Sequence, residues 1–138
     1  SKNLPRPCCQ VLIYPATDNS MTTTSMKSFT DTPLWNSKNN QRMWKMYLKN
    51  ATAQQEQIAI PMKNPLPEVL PPTYIETAEF DCLHDEAIIY AEKIKNRTAE
   101  LQINETKGTF HGYDMLSSHQ ISKNSVAKRI AFMKKWMD

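Results

Sequence analysis

The sequence predicts an α/β fold built on about three parallel strands with flanking helices, and three stretches carry that expectation. Gln10 to Tyr14 is a short apolar run closed by Pro15, the pattern of a strand covered on both faces. Thr73 to Phe80 is a second such run, ending in Asp81. It leads into a helical pattern and then a third run that ends at His111. Parallel strands need a long crossover, and a helix between the second and third runs supplies one. Asp81 and His111, thirty residues apart, then fall at the same edge of the sheet.

Composition bounds the class. A chain of 138 residues suits one ordinary domain, and 40% hydrophobic with 22% charged residues is that of a globular protein. A net charge of +3, spread along the chain, does not predict nucleic acid as a partner. No apolar run approaches the ~18 to 20 residues of a membrane span, and the N-terminal residues lack the apolar centre of a signal peptide. The expected location is cytoplasmic. Cys8 and Cys9 are adjacent and Cys82 is distant, a spacing that makes neither a disulfide framework nor a metal-ligand set. No metal site and no cofactor are expected. The glycine count is two, Gly108 and Gly112, where average usage of ~7% would give about ten. Both flank His111. A chain so poor in glycine has no room for a Gly-rich oxyanion loop or a Gly-x-Ser-x-Gly turn, which together with the start at Ser1 predicts a fragment.

Taken in order, Gln10 to Tyr14 is the first strand and Asp18 a turn or cap residue beyond it. Met21 to Lys49 is helical and amphipathic, broken over Thr30 to Trp35 around Pro33, with Asn36 or Ser37 capping a helix that carries Met43, Trp44, Tyr47 and Leu48 on one side. A stripe of this kind packs a core; a lid over an apolar pocket has the same pattern. Residues 51 to 72 hold five of the nine prolines and read as a connector without regular structure. Thr73 to Phe80 is the second strand, and Asp85 and Glu86 open a helix to about Asn96, with Asp85 as its cap. Thr98 to Asn104 places Leu101 and Ile103 on one face of the third strand. After a polar loop, Ser125 caps a last helix with an apolar face of Val126, Ile130, Met133 and Met137. Its Lys128, Arg129, Lys134 and Lys135 read as solvated. His84 and His119 read as solvent-facing.

Three ordered runs carry a resemblance across nearly the whole chain: Val-Leu-Ile-Tyr-Pro-Ala-Thr-Asp; Leu-Pro-Pro-Thr-Tyr-Ile-Glu-Thr-Ala-Glu-Phe-Asp81-Cys-Leu-His-Asp85-Glu86; and Gly-Thr-Phe-His111-Gly-Tyr. Together they resemble the C-terminal half of the hormone-sensitive-lipase-like α/β hydrolases. The resemblance implies the C-terminal part of an α/β-hydrolase fold over residues 1–138. Residues 19–67 would form a helical cap insertion, and 68–138 a strand, helix, strand, helix unit. It implies Asp81 as the acid and His111 as the base of a catalytic triad, with Trp35 and Trp44 as candidates for lining an acyl pocket. A serine hydroxyl attacks an ester only when a histidine removes its proton, and that histidine needs a carboxylate to fix its tautomer.

The implied function is a serine-dependent carboxylic ester hydrolase of esterase or lipase type, acting on a small-molecule ester. Its nucleophile and oxyanion loop would belong to a missing N-terminal half, so this chain alone is expected to be inactive. Alone, it is also expected to be unstable or to aggregate through the unpaired edge of its first strand. A homo-oligomer is left open. Two other readings share the fold: a non-catalytic small-molecule-binding protein, as in a plant hormone receptor that has lost the triad histidine, and a degenerate truncated product. Retention of His111 argues against the first.

Overall fold

A computed structural model describes residues 6–137. Its order is β1 (Gln10–Ile13), α1 (Thr24–Ser28), α2 (Ser37–Tyr47), α3 (Ala53–Ala59), β2 (Thr73–Ala78), α4 (His84–Ile94), β3 (Leu101–Thr106), a 3₁₀ turn (Tyr113–Met115) and α5 (Gln120–Met137). The three strands form one parallel sheet in the order β1-β2-β3. Central β2 is buried along its whole length, while β1 is half-buried at an edge. The predicted α/β class and strand count are therefore present.

Successive side chains of a strand face opposite ways, so β2 builds two different layers. Ile75 faces α4, where it is fully buried with Ala87, Ala91 and Ile94 and is flanked by Leu12, Leu70 and Leu101. Tyr74 and Glu76 face α5, with the Tyr74 ring 5.6 Å from Phe132. That second layer is polar: Asn104 and Thr106 of β3 are buried in it, and Ile103 is 39% exposed on the other face, which it shares with Leu101 as expected.

α5 differs from the sequence pattern. It begins at Gln120, and Ser125 is a buried mid-helix residue, not a cap. Its buried face is Ser122, Ser125, Arg129 and Phe132, while Val126 and Ile130 are about 40% exposed and Met137 more so. Arg129, expected in solvent, is inside because its guanidinium meets Glu76 and Asp114.

Between β1 and β2 the break around Pro33 and the Asn36 cap stand as expected, with Asn36 Oδ1 accepting from the Asn39 amide at 3.1 Å. The inward face of α2 is Ser37, Asn40 and Trp44, and Tyr47, expected beside Trp44 in the core, is exposed. Residues 51 to 72 are not wholly irregular. Their prolines all lie at or after Pro61, and α3 precedes them, opened by a capping box in which Thr52 Oγ1 accepts from the Gln55 amide and Gln55 Oε1 accepts from the Thr52 amide. The proline-rich stretch is then pinned by Lys93 Nζ, which donates to the carbonyls of Pro61, Met62 and Asn64.

Candidate active site

Asp81 and His111 occupy loops that follow β2 and β3, and the backbone ladder continues past both strands to hold the loops together. The Glu79 amide donates to Thr106 O at 3.0 Å and the Phe80 amide to Thr109 O at 2.8 Å. Asp81 is almost fully buried, with Oδ1 accepting from the Leu83 amide at 3.0 Å. Its other oxygen, Oδ2, accepts from His111 Nδ1 at 2.7 Å. A proton held on Nδ1 by a carboxylate leaves Nε2 as the basic atom of the ring, the tautomer general-base chemistry needs. The His111 side chain is about one quarter exposed, so the ring is packed yet reachable.

The turn that presents the ring requires glycine. Gly112 has φ +74°, and a Cβ there would lie 3.2 Å from Leu34 Cδ1. Leu34 itself has φ +64°, a backbone conformation that disfavours a branched side chain. Beside it, Trp35 stacks on the imidazole with centroids 5.7 Å apart and planes at 29°. Tyr14, at the end of β1, packs on the same imidazole at 4.9 Å. The structure thus brings Asp81, His111 and Trp35 together. Trp44 is buried on α2 with its ring against Tyr47.

Sequence reasoning did not single out Tyr14, and a tyrosine closing a strand carries no signal for contact with a histidine about a hundred residues on. It also missed Glu86. This carboxylate is buried on α4 and accepts from the amides of Thr17 and Asp18 at 2.6 and 3.2 Å, tying the loop after β1 to the helix that follows Asp81. Burial pushes its pKa up to about 7, against the downward pull of those two amides. Asp85 does not cap its own helix. Its Oδ2 accepts from the Ser25 amide at 2.8 Å and its amide donates to Ser25 Oγ, so it docks α1 onto α4. Burial raises the Asp85 pKa, but hydrogen bonds from His84 and Ser25 outweigh this and hold it below the usual range. His84, expected in solvent, is about four-fifths covered and bridges Asp85 and Glu105. Asp18 closes a local turn onto the Ser20 amide, as expected.

Among the described residues no cluster of three or more His, Cys, Asp or Glu is placed to hold a metal ion. No described helix is long and apolar enough to cross a membrane.

A buried carboxylate hydrogen-bonded to a histidine at one end of a parallel sheet is a geometry that suits general-base chemistry, and sequence comparison gives the class of fold that carries it. The family model for the alpha/beta hydrolase fold matches residues 1–115. The chain belongs to that family, in its hormone-sensitive-lipase-like branch. Among curated proteins it is similar to Lipase 2 of Moraxella sp. (strain TA144), 29% identical over 119 residues that make up 86% of this chain and 28% of the relative. Among solved structures it superposes on a bacterial heroin esterase with TM-score 0.86 and 30% identity, covering 95% of this chain and 43% of the other. The esterase LipW from Mycobacterium marinum gives TM-score 0.83 at 25% identity, covering 94% and 41%. The chain thus spans under a third of that lipase and about two fifths of the two esterases.

Proposed function

We propose that these residues supply the acid and base of a serine-dependent carboxylic ester hydrolase. The observation that carries this reading is the 2.7 Å contact between His111 Nδ1 and buried Asp81, with the imidazole partly open at the sheet edge. Esterase and lipase relatives spanning nearly the whole chain support it.

In the proposed reaction His111 Nε2 takes the proton of a serine hydroxyl as that oxygen attacks the ester carbonyl, and Asp81 stabilises the resulting imidazolium. The tetrahedral intermediate collapses, Nε2 returns the proton to the departing alkoxide, and an acyl-enzyme remains. Water, deprotonated by the same nitrogen, then attacks the acyl carbon; the serine oxygen is expelled, takes the proton back from Nε2, and the acid is released. No Gly-x-Ser-x-Gly turn occurs in these 138 residues, so the nucleophile and the oxyanion donors belong to another part of the enzyme. Residues 19–67 are the cap, and Trp35 is its contact with the reacting centre.

In the intact enzyme His111→Ala is expected to abolish hydrolysis of a short-chain aryl ester, and Asp81→Asn to lower kcat by about 10⁴-fold, the loss expected when the histidine is left in the wrong tautomer. Wild-type rates in either variant overturn the assignment.

A further inference from the structure

Behind His111 lies a buried charge network that the triad does not require. Glu76, fully buried at the centre of β2, accepts from Arg129 Nε at 3.1 Å and from Nη2, from Tyr113 Oη at 2.7 Å, from Tyr74 Oη at 2.9 Å and from Asn104 Nδ2 at 3.2 Å. Arg129 Nη1 reaches on to Asp114 Oδ2 at 2.8 Å. Asp114 Oδ1 accepts from Tyr14 Oη at 3.1 Å, and the Tyr14 ring packs on both His111 and Tyr113. Tyr113 and Asp114 lie two and three residues after His111, beyond the Gly112 turn. The network therefore grips the far side of the His111 loop and one of the rings against which the imidazole rests.

We propose that Arg129, held between Glu76 and Asp114, is a positioning residue for His111, fixing the loop and the Tyr14 ring that set where Nε2 points. This rests on the assignment of His111 as the base. Asp81 fixes the Nδ1 side of the ring and Trp35 stacks on the imidazole; on the far side of the Gly112 turn the loop's charged anchor is Arg129 on Asp114. The protonation states suit the role. Burial raises the Glu76 pKa, but hydrogen bonds from Arg129, Tyr113 and Asn104 outweigh it and hold the carboxylate below the usual range. Asp114 is lowered for the same reason, chiefly by Arg129 acting against burial. Both stay ionised opposite a permanent cation.

A merely structural ion pair is the competing role, and the two are separable because a buried pair replaced by apolar residues of similar volume often leaves stability unchanged or raised. The test is the double variant Glu76→Leu/Arg129→Leu in the intact enzyme, with Asp114→Asn and Tyr14→Phe as milder changes at the loop end. Stability is followed by urea unfolding, catalysis by kcat and KM for a short-chain aryl ester, and geometry by the low-field proton resonance of the His111 Nδ1–H···Asp81 bond. The expected result is a folded double variant with kcat down at least tenfold, KM within about twofold, and a shifted or exchange-broadened low-field proton. Should the double variant unfold, Asp114→Asn and Tyr14→Phe carry the test, with kcat down severalfold and the same spectral change. Folded variants with wild-type kcat and an unmoved resonance overturn the proposal. The resonance is read without turnover, so a failure of the esterase assignment and a failure of the positioning role give different results.

Discussion

Glu86 offers a test of how the loop after β1 is held. Replacing it by glutamine keeps the side-chain oxygen that accepts from Thr17 and Asp18 and keeps the volume, while removing the ionisation. Burial raises the carboxyl from an ordinary value of 4.5 to about 7 in the folded protein. The folded state then binds more protons than the unfolded state between those values, so stability falls as pH rises through the window. The contribution of the protonated acid is complete below pH 4.5 and lost above about 7. At 1.36 kcal/mol for each pH unit of displacement, the swing is about 3 kcal/mol. Urea unfolding of wild type and Glu86→Gln at intervals from pH 4.5 to 8 reads it. Any fixed cost of the amide cancels in the difference between the two curves, and other carboxylates contribute equally to both. The wild-type curve should fall relative to the variant by that amount. Parallel curves, or a wild type that gains on the variant as pH rises, would refute the argument, because either means that the two backbone amides stabilise the ionised form at least as much as burial opposes it.

Two further predictions bear on helices the sequence pattern misread. Phe132→Ala, which empties a buried site against Tyr74, should cost ~3 to 5 kcal/mol, whereas Ile130→Ala on the exposed side should stay within ~1 kcal/mol in urea unfolding; the reverse order would mean α5 is rotated. Thr52→Ala removes one half of the capping box of a helix with no buried residues, so its ~1 kcal/mol loss should appear as faster amide exchange confined to α3, and unchanged exchange there would discount the box.

The parts of this structure that were legible in the sequence are those set by period and chain order. β1, β2, α4 and β3 follow from apolar runs punctuated by Pro15, Asp81 and Gly108. Their parallel arrangement carries Asp81 to His111 without any residue between them needing to be known. What was not legible depends on partners distant in sequence. Asp85 and Glu86 stand where a helix N-terminus attracts acid, and nothing local tells that Asp85 serves Ser25 and Glu86 serves Thr17, some sixty to seventy residues earlier. Trp35 and Trp44 stand together as pocket candidates through the cap that the resemblance implies; the turn at Leu34, with its positive φ, is what delivers one indole to His111. The α3 signal was local and readable. Thr52 and Gln55 spell a capping box, and the five prolines that follow belong to the segment after the helix.

The rotation of α5 has a different cause, and its direction follows from magnitudes. A stripe of Val126, Ile130, Met133 and Met137 should turn inward if burial of apolar area were the only term. Leaving Val126 and Ile130 about 40% exposed forgoes roughly 1 kcal/mol each at the usual ~1.5 to 3 kcal/mol for full burial. Opposite the helix, however, β2 presents Glu76, fixed at the centre of the sheet by strand register and pointing away from the Ile75 layer. A buried carboxylate without its cation costs ~3 to 5 kcal/mol, more than Val126 and Ile130 together would return. The helix therefore turns Arg129 to the sheet, and Ser122, Ser125 and Phe132 follow at helical spacing. The one charged residue of β2 thus decides which face of a helix some fifty residues away is buried, and through Arg129 and Asp114 it reaches the loop that carries His111.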